Sequence, residues 1–193
     1  PRVGMAWLDP MCGLILPFLA AASLWRQRER RGGGVRVDFS MIEAMLWAMP
    51  EALLAAQHGD PPRPRGNASD DVAPHGVYRG AGQDEWLSVA VVNDGQWKDL
   101  CALVPGLAGM EEFDLAGRRA SLAAIDAALS AWVAPRNAGE AALVLTASGI
   151  PSAALASSME LVACEHLRAR GFWDEHGDGL LPGLPWRSSV GRE

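Results

Sequence analysis

The chain has 193 residues, of which 49% are hydrophobic and 21% charged, and its formal net charge is −6 at pH 7. This length and apolar content suffice for a substantial core in one or two domains. The acidic balance argues against a general nucleic-acid binder, which needs an excess of Lys and Arg on one face. The three cysteines lie far apart and lack C-x-x-C spacing, so neither a disulfide framework nor a zinc site is indicated. We therefore expect no bound metal and a reducing, cytoplasmic setting.

An acidic residue followed by a proline opens the first predicted element. Asp9-Pro10 precedes an apolar run over residues 11–25, and four arginines follow that run within residues 26–31. An aspartate at the N-cap, a proline in the first turn and basic residues in the last turn predict a buried helix. The apolar run is shorter than the about twenty residues that a bilayer requires, and it contains Pro17. We therefore expect no membrane span and no membrane partner.

The next segment combines a strand-like stretch, a capped helix and a proline-rich connection. Residues 35–39 alternate in the manner of a strand. Ser40 and Glu43 match the S-x-x-E capping box, which predicts a helix that Pro50 bends or divides before residue 57. Residues 58–74 contain four prolines and few apolar side chains, so they are interpreted as a linker or an active-site loop.

A small α+β unit is predicted from residue 76 to about residue 165. Strands are expected over 76–79 and 85–92, joined by a glycine-rich turn. Asn93 or Asp94 should cap a helix to Val104, and further helices are expected over 118–133 and 138–147. A short strand at 153–155 and a helix toward Cys164, capped by Ser157 or Ser158, follow. Beyond Gly171 the glycine and proline content predicts an irregular tail.

Several short motifs follow one another in the order shown by class III CoA-transferases of the CaiB/BaiF type. They are Trp7-Leu8-Asp9-Pro10-Met11-Cys12-Gly13-Leu14, Arg31-Gly32-Gly33-Gly34, Val37-Asp38-Phe39-Ser40-Met41-Ile42-Glu43-Ala44, Arg65-Gly66-Asn67, Ala73-Pro74-His75-Gly76-Val77-Tyr78, Gly149-Ile150-Pro151-Ser152-Ala153-Ala154 and Pro182-Gly183-Leu184-Pro185-Trp186-Arg187. Each motif alone is weak, but five or six in register are strong. The chain resembles roughly the second half of a protein of this family.

The resemblance implies an α/β family fold in four parts. Residues 1–57 would be a helical part of the large nucleotide-fold domain, and residues 58–75 a linker or active-site loop. Residues 76–165 would form the small α+β domain, and residues 166–193 an irregular tail that returns to the large domain. It also implies that the chain is a fragment, a processed piece or one part of a split protein. A homodimer of interlocked chains, or a complementary N-terminal half, would complete it.

The resemblance also implies a reaction. In this family the aspartate at the position of Asp9 is the nucleophile of a transferase that moves CoA between carboxylic acids through an aspartyl-acyl anhydride and an aspartyl-CoA thioester. Acyl-CoA and an acceptor acid would be substrates, with no permanently bound cofactor. Gly66, Asn67, Pro74 and His75 are candidate substrate- or CoA-binding residues. After the Gly-Asn pair the family has a glycine-rich loop, whereas residues 68–72 here contain no glycine.

Two alternative functions stay open. In an α-methylacyl-CoA racemase, Asp9 would exchange the α-proton with the help of a histidine outside this chain. Alternatively, the chain is a catalytically incompetent half that needs a separate N-terminal half. The Trp-x-Asp-Pro sequence and the motif around His75 favour the transferase over the racemase. The simplest structural interpretations are that Asp9 only caps a helix and that residues 58–75 are only a solvated linker.

Overall fold

The computed structural model describes residues 7–30 and 33–185, and it divides between Arg65 and Gly66 into two compact units. Helices and small antiparallel sheets make up these units, so the predicted mixture of helix and sheet is confirmed. Arg31, Gly32, Trp186 and Arg187, which belong to the family motifs, lie outside the described residues. The functional division into four parts stays a prediction.

The first unit contains the helices α1 (Leu8–Arg30), α2 (Met41–Trp47) and α3 (Pro50–Gln57). Helix α1 begins one residue before Asp9, so the prediction of Asp9 as the N-cap is wrong, and Asp9 lies in the first turn. The carbonyl of Trp7 accepts the first helical hydrogen bond, from the N–H of Met11 at 3.3 Å. The Ser40 hydroxyl accepts from the N–H of Glu43, which is one half of the predicted capping box.

Helix α1 differs from its predicted form in burial and in length. Its large apolar side chains are mostly exposed, for example Phe18 at 70% and Trp25 at 69%, because the described part of its unit offers only α2, α3 and their connections to cover it. The helix continues through the basic residues to a length of 23 residues. Among the described helices it is the one long and apolar enough to cross a membrane, by length and composition alone. The expectation that the segment is too short for a bilayer is therefore wrong for the helix as formed, although a core helix of a soluble protein meets the same criterion.

Residues 35–39 form no strand, contrary to the prediction. Strand formation requires a neighbour that pairs with the backbone N–H and C=O groups, and the described part of the first unit contains no second strand. Pro50 stands at the first position of α3, so the helix is divided there, as predicted.

The second unit is built on a three-stranded antiparallel sheet. Its strands β1 (His75–Arg79), β2 (Trp86–Ala90) and β3 (Ser152–Ala154) lie in that order. His75 pairs with Ala90 at one end, and Leu87 pairs with Ala154. The second unit also contains the helices α4 (Asp94–Leu103), α5 (Leu115–Ala120), α6 (Leu122–Val133) and α7 (Ala138–Ala147).

The core of the second unit is formed by apolar residues of the helices and of one sheet face. Leu87 and Val89 alternate along β2 and are almost fully buried, as half-buried strands require. Trp97 on α4, Leu129 on α6 and Leu145 on α7 share that cluster. The side chains of Asn93 and Asn137 cap α4 and α7 as N-cap acceptors.

Two predictions for the second unit need correction. The helix expected over 118–133 is two helices, because Asp114 caps a short α5 and the backbone at Ser121 breaks the helical geometry before α6. The tail beyond Gly171 is not irregular over its described part. It contains the hairpin β4 (Trp173–His176) and β5 (Gly179–Pro182), whose two-residue turn places Gly177 at φ +57°. Helices α8 (Ser158–Ala163) and α9 (Glu165–Ala169) precede it, and Ser157 with Glu160 forms a complete capping box.

Candidate functional site

The carboxylate of Asp9 lies at the N-terminal end of α1 and is exposed. The first turn of a helix leaves backbone N–H groups without helical partners and carries positive potential. Negative charge that develops on a reacting carbonyl oxygen beside Asp9 would be stabilised by both effects. The nucleophilic role of Asp9 stays a prediction.

The first unit also contains an apolar cavity of about 560 Å³ between α1 and residues 38–47. Phe18 and Trp47 form part of its wall, and Asp38 and Glu43 are its charged members. Asp9 does not line it. The cavity therefore offers a hydrophobic surface rather than a ready active-site pocket around the predicted nucleophile.

A second cavity, of about 300 Å³, lies in the second unit where the loop before β1 meets the sheet. Two of the predicted binding residues, Asn67 and His75, line it together. Gly66 and Pro74, the other two predicted residues, adjoin them in the chain but do not line the cavity. The cavity walls are completed by Gly76, Val77, Ser88, Val89, Ala90, Pro151, Ser152 and Ala153.

The imidazole of His75, at the end of the loop before β1, contacts the beginning of that loop. Its Nδ1 lies within hydrogen-bond distance of the backbone carbonyl of Asn67. Because a carbonyl only accepts, Nδ1 must donate, and the lone pair of the neutral ring then resides on Nε2. Gly66 adopts φ +60°, a left-handed conformation that glycine allows at the start of this loop. The contact with Asn67 thus fixes the imidazole of His75 at the wall of the cavity.

Pro74 is buried, in contrast to the exposed Gly66, Asn67 and His75. It follows a cis peptide bond from Ala73, and its carbonyl accepts the N–H of Val91 at 3.0 Å. Its contact with a substrate stays a prediction. In this structure Pro74 connects the loop to the sheet directly before His75.

Two serines line the same cavity and were not predicted from the sequence. The hydroxyl of Ser88 donates to the carbonyl of Ala153 at 3.0 Å, and that of Ser152 donates to the carbonyl of Ala142 at 3.1 Å. The alternation along β2 was the available signal for Ser88, because Leu87 and Val89 turn inward and the residue between them must face the other side. For Ser152 there was no such signal, because β3 has only three residues.

Arg118 is a further residue that sequence reasoning missed. It is the one charged side chain in the buried class among the described residues, with 2% exposure. Its guanidinium donates to the carbonyls of Ala73 and Phe113 and pairs with Asp94. A basic residue in a short helix carries no signal of burial, so only the packing reveals this position.

The described residues contain no group of three His, Cys, Asp or Glu side chains placed to hold a metal ion. Of the thiols, Cys101 is buried at 5% exposure, and its burial raises its pKa to about 11, with a smaller contribution from the charge of Glu111. A thiol with such a pKa is a poor nucleophile at neutral pH. The polar side chains that line the 300 Å³ cavity, in contrast, offer imidazole, hydroxyl and amide groups.

Comparison with known proteins identifies the family. The sequence profile of CoA-transferase family III matches residues 1–191. The chain is 30% identical over 192 residues to the acetyl-CoA:oxalate CoA-transferase of Acetobacter aceti, an alignment that covers 97% of this chain and 49% of that protein. It is also 30% identical over 151 residues to the probable CoA-transferase Rv1866 of Mycobacterium tuberculosis, covering 74% of this chain and 18% of that protein.

Solved structures share the fold. A CaiB/BaiF family protein from Brucella suis superposes with a TM-score of 0.84 at 24% identity, covering 99% of this chain and 51% of that one. Rv3272 from M. tuberculosis superposes with a TM-score of 0.72 at 18% identity, covering 98% of this chain and 49% of that one. The chain thus spans about half the length of the Acetobacter protein and of these two solved relatives. The resemblance to the CaiB/BaiF type is confirmed, and the chain belongs to CoA-transferase family III.

Proposed function

We propose that the protein to which this chain belongs transfers CoA between carboxylic acids and that Asp9 is its nucleophile. The observation that supports this most directly is an exposed carboxylate in the first turn of α1, within a chain matched by the CoA-transferase family III profile. The A. aceti relative is named as an acetyl-CoA:oxalate CoA-transferase. A short acyl-CoA donor and a small dicarboxylate acceptor are therefore the first substrates to test.

The proposed reaction proceeds by acyl transfer through the enzyme carboxylate. Asp9 attacks the acyl-CoA thioester and expels CoA thiolate, which leaves a mixed anhydride. The thiolate then attacks the aspartyl carbonyl, which gives an aspartyl-CoA thioester and releases the donor acid. The acceptor carboxylate attacks this thioester and expels CoA thiolate, which leaves a second anhydride, and the thiolate finally attacks the acceptor's carbonyl and regenerates Asp9. N–H groups of the first helical turn stabilise the oxyanions that form on the way.

The cavity at Asn67 and His75 is proposed as a substrate-binding site of the same enzyme, with Gly66 and Pro74 shaping the loop that forms it. Imidazole, hydroxyl and amide groups along its wall suit the polar part of an acid or of CoA. The exposed apolar side chains of α1 favour completion of the enzyme by a second chain or by a complementary N-terminal half. We propose that the chain alone turns over little or no substrate and that the complete enzyme is cytoplasmic.

The experiment assays the chain together with any segment that its gene encodes on either side. Incubation with acyl-CoA followed by hydroxylamine should modify Asp9 as a hydroxamate, located by peptide mass spectrometry. Asp9→Asn should lose both the modification and the transfer activity. Glu51→Gln is the matched control, because Glu51 is likewise an exposed first-turn acid, in α3.

Full activity of Asp9→Asn would exclude the proposed mechanism. Solvent deuterium entering the α-carbon of the acyl group, without any acceptor acid, would instead identify a racemase. A hydroxamate on Glu51 rather than on Asp9 would move the nucleophile to another helix.

A further inference from the structure

A buried charge lies behind the loop that carries Asn67 and His75. Arg118, on α5, has 2% of its side chain exposed. Burying a guanidinium is unfavourable unless its donors and its charge are matched. The groups that accept hydrogen bonds from Arg118 and balance its charge therefore indicate which part of the structure this arginine holds in place.

Three hydrogen bonds and one aromatic ring stabilise the guanidinium. Nε donates to the carbonyl of Ala73 at 2.8 Å, and Nη1 donates to Asp94 Oδ1 at 2.7 Å and to the carbonyl of Phe113 at 3.0 Å. The guanidinium carbon lies 5.7 Å from the centroid of the Trp97 ring. A planar guanidinium can donate to these acceptors from two of its nitrogens while its face lies over the ring. A lysine ammonium group lacks this geometry, so lysine would not replace Arg118.

The bond to Ala73 lies two residues from His75. Pro74, between them, is buried, and its carbonyl is held by the N–H of Val91 at 3.0 Å. His75 then begins β1 and closes the loop onto the carbonyl of Asn67. Little freedom remains between the guanidinium and the imidazole, so displacement of Ala73 should be transmitted to His75.

The neighbouring arginine adds a weaker attachment. Arg119 donates to Asp70 Oδ1 at 2.8 Å, with both side chains about half exposed. Exposed ion pairs of this kind contribute little. Helix α5 therefore holds the loop at two points, and the buried one is the stronger.

We propose that Arg118 is a positioning residue for His75: it fixes the carbonyl of Ala73 and thereby keeps the imidazole in the Nδ1–H form, oriented on the wall of the 300 Å³ cavity. The consequence for catalysis rests on the proposed function, whereas the consequence for the imidazole does not.

The direct test is the nitrogen spectrum of the His75 imidazole in Arg118→Lys, in the complete protein. In the wild type the proton should reside on Nδ1, with Nε2 unprotonated when the ring is neutral. In Arg118→Lys the two nitrogen shifts should move toward each other as the ring exchanges tautomers, and the Nδ1–H signal should broaden or vanish. A folded Arg118→Lys with wild-type nitrogen shifts would overturn the proposal.

Arg136→Lys is the matched control. Arg136 also stacks on a tryptophan, at 4.3 Å from the Trp132 centroid, but its guanidinium donates to the carbonyl of Trp132 instead of to the loop. Arg136→Lys should leave the His75 nitrogen shifts unchanged, and an equal shift in both variants would count against a specific path through Ala73.

If Arg118→Lys does not fold, Asp94→Asn serves as the second variant, because it removes the charged partner of the guanidinium and leaves Arg118 in place. Asp94→Asn should move the nitrogen shifts of His75 in the direction expected for Arg118→Lys, but by a smaller amount. Unchanged shifts would again contradict the proposal.

Measurements of kcat/KM test the role of His75 in the proposed function separately from its positioning by Arg118. Arg118→Lys and His75→Ala should each lower kcat/KM by about tenfold to a hundredfold, the order of loss expected from a small displacement at an active site. The double variant should lose no more than His75→Ala alone, because both changes act through one imidazole. Wild-type turnover of His75→Ala would remove His75 from the proposed reaction, and the nitrogen spectrum would still decide whether Arg118 positions it.

Discussion

The hydroxyl of Tyr78 on β1 donates to Asp126 Oδ1 on α6 at 2.7 Å and so joins the sheet to the helical layer. Tyr78 is 4% exposed. Burial, then the hydrogen bond and the charge of Asp126, raise the pKa of Tyr78 well above its usual value. The folded state therefore retains the phenolic proton under conditions in which the unfolded chain releases it.

This relationship predicts a loss of stability at alkaline pH. An unfolded tyrosine ionises at about pH 10, so the contribution of Tyr78 to the free energy of unfolding should be constant below that pH and should fall above it. Tyr78 is the one tyrosine of the chain, so tyrosinate absorbance reports on it alone. In the wild type that absorbance should appear only together with unfolding. Titration of Tyr78 in the folded protein near pH 10 would contradict the prediction.

Tyr78→Phe should remove the part of the alkaline pH dependence of the free energy of unfolding that Tyr78 causes. It should also lower the free energy of unfolding at neutral pH by about 1 kcal/mol, the usual net contribution of a hydrogen bond. Denaturant titration at several pH values measures both effects. Asp126→Asn is the control, because it keeps an acceptor for the hydroxyl and removes only the charge. It should cost less than Tyr78→Phe at neutral pH.

Gly76 should tolerate no side chain, for a reason that involves the same tyrosine. A Cβ on Gly76 would lie 2.7 Å from the Tyr78 hydroxyl oxygen and 2.9 Å from Cζ. Gly76→Ala must therefore displace the Tyr78 ring and its bond to Asp126, at a cost of about 1–3 kcal/mol. Gly33→Ala is the control, since a Cβ there meets nothing within 4 Å. Thermal denaturation of both variants checks this, and equal stabilities would show that Tyr78 is free to move.

The two consecutive arginines of α5 should differ sharply in their effect on stability. Arg118→Ala leaves the carbonyls of Ala73 and Phe113 without their donor and should cost about 2–3 kcal/mol. Arg119→Ala loses an exposed pair with Asp70 and should cost at most about 0.5 kcal/mol. Urea unfolding of the two variants measures the difference. Equal losses would mean that burial of Arg118 contributes nothing.

The thiol of Cys101 should resist alkylation in the folded protein. Its burial and a pKa of about 11 leave almost no accessible thiolate at neutral pH, whereas Cys164 is partly exposed. Iodoacetamide at pH 8 should therefore modify Cys164 first, and Cys101 only after denaturation. Peptide mass spectrometry at increasing times gives the order. Early modification of Cys101 would show that α4 opens readily.

Several elements were predictable because the interactions that define them are local. The caps at Ser40, Asn93 and Ser157 each accept from the N–H three residues ahead, and such a contact depends on little beyond the intervening backbone. The glycine-rich turn between β1 and β2 and the division of the helix at Pro50 are equally local. The motifs around Asp9, Ser40 and His75 carried the family resemblance for the same reason, since each is a contiguous string.

The mispredicted features depend on neighbours in the fold. Residues 35–39 have strand-like side chains, but the described part of the first unit contains no strand to pair with them. Residues 173–182 pair with each other although their composition suggested a tail. The exposure of α1 likewise depends on what covers it rather than on its own apolar pattern.

The amino-acid sequence by itself determined the family, the order of most helices and strands, and the position of Asp9 at the start of a helix. Only the tertiary structure decided that His75 is held by Asn67, that Ser88 and Ser152 share its cavity, and that Arg118 is buried against Ala73. The bond from Arg118 spans 45 residues of sequence, and its geometry is set by the packing of α5 against the loop. Contacts of that length arise from the whole core at once, so no local pattern of residues contains them.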